Sequence, residues 1–276
     1  MAAAKEPTAA IGPLRVEPGT GAGLGQRDPA DRLGFVDKKE GRAALEPLLA
    51  ELDALHDRLW AEATRSVLLV LQGMDTAGKD GAIRKVLTSI DPQGLRVSPF
   101  KLPSDEERAH DYLWRIHAQC PPRGHLGVFN RSHYESVVAA LLGGDVDQEQ
   151  CERRYRHLRE FERMLVDEGT YPVKVFLHIS LEEQRERLQA RLDDPEKRWK
   201  FRKGDLAVRE RWDEYQAAYE RAITETSTEW APWYVVPADH KWVRDVAVAR
   251  ILVASVRALD PRFPPPAPEL DGVVVS

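Results

Sequence analysis

The chain has 276 residues, enough for one large domain, and with 42% of them apolar a substantial core can be buried. A net charge of −5 argues against a general nucleic-acid binder, two cysteines give neither a disulfide framework nor a metal signature, and no run approaches the ~20 apolar residues of a membrane span. The opening MAAAKEPTAAIGPL lacks the apolar stretch of a secretory signal, so a soluble protein of a reducing, cytoplasmic compartment is expected.

Residues 1–35 carry few large apolar groups and many Gly, Ala and Pro, which predicts a flexible arm. From Pro47 onward, Leu48, Leu49, Leu52, Leu55, Leu59 and Trp60 mark an amphipathic helix. The apolar run over residues 67–71 reads as a strand buried on both faces, and it leads into Gly73-Met74-Asp75-Thr76-Ala77-Gly78-Lys79. That G-x-x-x-x-G-K spacing is a P-loop, which bends a strand into a helix and presents backbone N–H groups to phosphate oxygens. Ile83, Val86, Leu87 and Ile90 fall on one stripe and predict the helix that follows.

Where a Ser or Thr hydroxyl usually binds magnesium, this chain has Asp80. Together with Asp75 in the loop, two acids flank Lys79 and could hold magnesium in the hydroxyl's place. The plainer reading of Asp80 is an acid set in the first helical turn to suit the helix dipole.

Residues 95–101 predict a second strand, and Ser104 caps a helix that carries Tyr112, Leu113 and Trp114. Residues 124–130 predict a third strand, whose end abuts Arg131-Ser132-His133-Tyr134-Glu135 and a further helix stopped at Gly143-Gly144. Tyr155, Leu158, Phe161 and Leu165 stripe a charged surface helix, residues 172–179 form a fourth strand, a helix begins near Leu181, and residues 233–236 form a fifth strand. Alternating strands and helices imply an α/β fold, a parallel sheet of about five strands with helices on both faces. Ligands of such sheets gather beyond the carboxyl ends of the strands. The P-loop, the FNRSHYE turn, the segment after His178 and the Pro237-Ala238-Asp239 turn should therefore converge.

Between residues 185 and 203 the chain reads RERLQARLDDPEKRWKFRK, a dense local excess of cations in an acidic protein. Arg187 and Arg191 lie four apart, on one helix face. Beside a phosphate loop, such a segment suits a mobile lid that neutralises a phosphoryl group in transfer.

These motifs together resemble the family-2 polyphosphate kinases. The likeness is carried by LQGMDTAGKDGAIRKVL, FNRSHYE, DPEKRWKF and ETSTEWAPWYVVPADHKW, in that order, over roughly residues 36–259. It implies a P-loop kinase-like three-layer sandwich over residues 36–259, with a helical lid at about 187–210 and a Pro-rich tail over 260–276. It makes Asp75, Lys79, Arg131 and Arg191 the catalytic residues. Gly73, Met74, Thr76, Ala77, Gly78, Asp80, Gly81, Arg84, Lys85, Asn130, Tyr134, Glu135, Arg187 and Arg198 become phosphate or nucleotide contacts, and Asp75, Asp80 and Glu135 the ligands of Mg2+, with Mn2+ as its substitute. Asn130 stands where many relatives carry an aspartate, so Glu135 compensates at the metal. The Asn-Arg-Ser-x-Tyr-Glu variant resembles the branch that accepts AMP and ADP with polyphosphate as donor, leaving guanine nucleotides open; His133 departs from that branch's aromatic and reads as structural. The resemblance also implies a homo-oligomer, a dimer or tetramer, while charge and hydropathy lead us to expect neither a nucleic-acid nor a membrane partner.

The loop alone fits an ATP-dependent nucleoside monophosphate kinase equally well, and only the FNRS and lid likeness separates the two. A nucleotide switch would need an Asn-Lys-x-Asp element and a Ser or Thr after Lys79, and neither is present. A polyanion-binding module without catalysis is disfavoured by Asp75 and Asp80, which would repel its ligand unless a metal intervened.

Overall fold

The computed structural model describes residues 11–270, 273 and 275. A six-stranded sheet forms its centre, in the order β1-β6-β5-β2-β4-β3. Strands β2 (Ser66–Gln72), β3 (Leu95–Pro99), β4 (Leu126–Asn130), β5 (Thr170–His178) and β6 (Trp233–Pro237) run parallel to one another, close to the strands expected from sequence. Every residue of β2 is buried, the pattern of a strand covered on both faces. Its two neighbours, β4 and β5, lead away to opposite sides of the sheet, so the loop after β2 opens at a topological switch point.

The long helices are α1 (Lys38–Glu62), α2 (Lys79–Val86), α3 (Gln148–Asp167), α4 (Leu181–Asp193), α5 (Lys203–Glu210), α6 (Trp212–Thr226) and α7 (Lys241–Leu259). Helix α7 packs on α1, α2, β5 and β6. From β5, Lys174 and Phe176 point instead to α3 and α6, where they meet Glu162 and Tyr219. No helix among the described residues is long and apolar enough to cross a membrane.

The flexible arm expected over residues 1–35 needs correction from Ile11 onward; residues 1–10 lie outside the described residues. Arg15–Val16 forms β1, an antiparallel edge strand paired with Tyr234 and Trp233, which makes the sheet six-stranded rather than five. Ile11, Leu14, Val16, Ala22 and Leu24 are buried, and Glu220 accepts the amides of Gly23 at 2.8 Å and Leu24 at 2.7 Å. A few apolar anchors suffice because the sheet edge and Glu220 satisfy the backbone.

Helix α1 also begins well before Pro47. Asp37 caps it by accepting from the amides of Lys39 and Glu40, and Pro47 is carried inside the helix. Beyond β3, the single expected helix is two short ones, Asp105–Ala109 and Trp114–His117, because Asp111 turns back to accept the Leu113 amide at 2.9 Å. The Ser104 cap is present, closed as a capping box with Glu107.

Candidate active site

The P-loop is built from two left-handed glycines. Gly73 has φ +148° and its missing Cβ would stand 2.8 Å from the Leu177 carbonyl; Gly78 has φ +104° and caps α2. The first-turn amides of α2 have no acceptor within the helix, so they face the mouth of the loop with the positive end of the helix dipole. Thr76 also holds a positive φ, 68°, and its buried hydroxyl has no hydrogen-bond partner among the described residues.

Lys79 folds back across this loop. Its Nζ donates to the carbonyls of Gly73 at 2.7 Å and Met74 at 3.3 Å, and Met74 and Ala77 are buried beneath. Burial and the charge of Arg131 pull the ammonium down to about 8, while Asp75, Glu135 and Asp80 oppose them. Arg131, Asp75, Glu135 and Asp80 thus lie close enough to act on the charge of the loop lysine.

Arg131 follows β4 in a left-handed conformation, φ 63°. One amino group donates to Asp75 Oδ1 at 2.8 Å and the other lies 3.6 Å from Glu135. Burial opposes its charge, but Glu135 and Asp75 outweigh that and raise the guanidinium above its usual value. Asp80 lies one step outward, where Asn130 Nδ2 donates to it at 2.6 Å. An aspartate at position 130 would have set a second carboxylate against Asp80; the amide ties the two together instead.

No three acids, histidines or cysteines among the described residues are gathered to hold a metal ion. The expected trio of Asp75, Asp80 and Glu135 is thus not a preformed cage. Asp75 and Glu135 share Arg131, whereas Asp80 belongs to Asn130. Their carboxylate oxygens would suit a hard cation, with phosphate and water to complete its coordination.

The description Polyphosphate kinase 2 matches this chain over residues 35–264. The chain belongs to the polyphosphate kinase 2 family. The chain is 51% identical to the AMP/ADP-polyphosphate phosphotransferase of Meiothermus ruber over 265 residues, 95% of this chain and 98% of that protein. To the ADP-polyphosphate phosphotransferase of Rhodopseudomonas palustris it is 42% identical over 85% of each chain. The crystal structure of Polyphosphate Kinase 2 from Arthrobacter aurescens TC1 matches it with a TM-score of 0.90 at 44% identity, covering 95% of this chain and 93% of that one.

Within this polyphosphate kinase 2 fold, four expected contacts lie elsewhere. Tyr134 is turned into the core, where its hydroxyl donates to buried Glu162 at 2.8 Å, so it is no nucleotide contact in this structure. Arg187 faces the underside of the loop. Its Nη1 donates to the carbonyls of Thr76 at 2.9 Å and Ala77 at 3.2 Å, its Nη2 to Ala238 at 2.6 Å and Asp239 at 2.7 Å, and its Nε to Glu183. With all five donors engaged, it fastens the P-loop to the turn after β6 and has none left for phosphate. Arg84 and Lys85 sit exposed in the last turn of α2, with Lys85 near Asp245 rather than at the loop.

Arg191, at the end of α4, is half-buried with Nη1 3.8 Å from Asp205. Arg198 is exposed and turned back on the Leu192 carbonyl at 2.9 Å. Burial and the charge of Asp75 push the Asp205 carboxyl up, which places this unforeseen acid on the same side as the loop acids.

Arg244 was also invisible in the loop motif. It is 4% exposed, paired with Asp245, and its Nη1 fills the space that a Cβ on Gly78 would need, at 2.0 Å, and packs beside Gly81. The signal was present as an Arg-Asp pair on an otherwise apolar helix, VRDVAVARILVASV. Gln184, buried in α4, donates to the Asp75 carbonyl at 3.2 Å and holds the same loop from the α4 side.

Proposed function

We propose that this enzyme transfers phosphoryl groups from inorganic polyphosphate to AMP and ADP, forming ADP and ATP. The observation that carries the reading is Lys79, Arg131 and two carboxylates converging at the switch point, in a chain half identical to an AMP/ADP-polyphosphate phosphotransferase. Phosphoryl transfer asks the protein for positioning and charge stabilisation more than for covalent chemistry. Lys79 supplies a compact charge to the phosphate oxygens, and Arg131 a planar fork that can exchange Asp75 and Glu135 for phosphate. Asp75, Asp80 and Glu135 hold Mg2+, or Mn2+ in its place, which neutralises charge on the phosphates when bound. Adenine nucleotides are the acceptors, and the enzyme works as a homo-oligomer in the cytoplasm.

The test is an end-point assay with long-chain polyphosphate as sole donor, AMP or ADP as acceptor, and magnesium present. Product should form without ATP, stop in excess chelator, and require more polyphosphate for half-saturation as ionic strength rises, because salt screens exposed cations. Phosphorylation of AMP by ATP with none by polyphosphate would instead assign the chain to the nucleoside monophosphate kinases. Full turnover in chelator would remove the metal from the reading.

Residues 187–210 act as the lid, with Arg191 as its phosphate-facing arginine. In the structure Lys197, Arg198, Lys200, Arg202 and Lys203 line an exposed turn that also displays Trp199 at 76% exposure. Such segments order on ligand binding. Polyphosphate should therefore slow tryptic cleavage between residues 197 and 203 several-fold, and equal cleavage rates with and without it would count against a lid.

A further inference from the structure

The turn that carries Arg131 is strained, since a non-glycine residue at φ 63° persists only where its surroundings hold it. The Arg131 amide donates to the Leu71 carbonyl at 3.1 Å, and the Ser132 hydroxyl accepts from Gln72 at 3.1 Å and from the Tyr134 amide at 3.2 Å. The next two side chains then leave the site altogether. His133 Nε2 lies 3.1 Å from Glu162 Oε1, and Tyr134 Oη donates to that same oxygen at 2.8 Å. Glu162 Oε2 accepts from Lys174 Nζ at 2.6 Å, and Lys174 also donates to Tyr134 Oη at 3.1 Å and the Thr226 carbonyl at 2.7 Å. All three ammonium protons are thus engaged. Glu162 and Lys174 are each 0% exposed.

An ion pair buried this deeply is a poor device for stability alone, because well-packed apolar side chains of similar size often serve as well. What it does provide is direction. The backbone alternates: Arg131 faces the loop, Ser132, His133 and Tyr134 are fixed in the core, and Glu135 returns to Arg131 at 3.6 Å. Trp233, whose ring lies 4.7 Å from Tyr134, closes the far side.

We infer that Glu162 and Lys174 are positioning residues for phosphoryl transfer: through Tyr134 and His133 they hold the strained turn that presents Arg131 and Glu135 to the P-loop. The inference rests on the role proposed above for Arg131. Neither residue needs to meet a ligand, and neither belongs to the phosphate or metal groups of the site.

The test is a double-mutant cycle in the full-length enzyme, read by kcat, KM for polyphosphate and melting temperature. Tyr134→Phe removes one hydroxyl and keeps the ring. It should lower kcat about tenfold or more with less than a threefold change in KM. In an Arg131→Ala background the same substitution should lower the melting temperature as before yet change kcat less than twofold, because the group being positioned is already gone. Equal losses of kcat in both backgrounds, or an unchanged kcat in Tyr134→Phe while Arg131→Ala is crippled, overturn the inference and leave the reading of Arg131 standing. A wild-type kcat in Arg131→Ala overturns both. If Tyr134→Phe does not fold, His133→Phe, which deletes the neighbouring bond to Glu162, takes its place in the cycle with the same outcomes.

Discussion

Lys79→Met is expected to lower kcat about a thousandfold, ~4 kcal/mol of transition-state stabilisation, while the protein still folds. Among the described residues the ammonium donates only to the Gly73 and Met74 carbonyls, so its folded-state bonds are local to the loop. Methionine fills the same buried channel without the charge. What is lost is the cation that would meet the phosphate oxygens, in a place where burial and the charge of Arg131 disfavour a lone ammonium and bring it down to about 8. Circular dichroism and melting temperature should stay close to wild type. A variant that is folded and keeps more than about a tenth of the rate, a deficit below ~1.4 kcal/mol, would show that Lys79 is not at the transferring phosphate.

The parallel strands were legible because burial on both faces writes itself as a short unbroken apolar run, as in residues 67–71 and 233–236. The P-loop was legible because its glycines answer to backbone geometry that few other residues tolerate. The edge strand β1 was not, since two residues of sequence carry no period, and its stability comes from Trp233, Tyr234 and Glu220 more than two hundred residues away or nearly so. The start of α1 was legible in principle. Asp37 stands three residues before Glu40, whose carboxylate accepts the Val36 amide, a capping pattern that carries no apolar period and so lies ahead of the stripe that begins after Pro47.

Within the site, sequence order separated poorly the residues that face the ligand from those that face the core. Arg131, Tyr134 and Glu135 are near neighbours in one motif, yet a tight helical turn sends Tyr134 inward and leaves the other two at the loop. Arg187 and Arg191 share a helix face, yet the P-loop carbonyls, the turn after β6 and Glu183 together consume every donor of the first, while the second meets only Asp205 at 3.8 Å among the described residues. Glu162 did not stand out because α3 is charged over most of its surface outside the apolar stripe. Its register with Tyr155, Leu158 and Leu165, all buried, is the signal that places it inside, just as Lys174 between Val173 and Val175 stands inside an apolar strand.

Lys174→Met should then be among the most destabilising single substitutions in the chain, costing about 3–5 kcal/mol, because it leaves the Glu162 carboxylate buried without its cation. For a domain of this size that lowers the melting temperature by on the order of 10 °C. Burial alone would raise the Glu162 carboxyl, but Lys174 and His133 outweigh it and hold it below its usual value. The sign of the pH dependence follows. A carboxyl depressed in the folded state contributes stability that is present above its unfolded value and lost as pH falls through the folded one. In Lys174→Met the same group is instead pushed upward and is relieved by taking a proton. The deficit between wild type and variant should therefore be largest near neutral pH and shrink toward acid. Adding Glu162→Gln to Lys174→Met removes the stranded charge and keeps an oxygen for the Tyr134 hydroxyl, so the double variant should melt above Lys174→Met at neutral pH, even though it carries one more substitution. Melting curves of the wild type and both variants at pH 7 and pH 5 decide it: a double variant less stable than Lys174→Met at pH 7, or a deficit of Lys174→Met that grows on acidification, would mean that Glu162 is not held as a buried carboxylate.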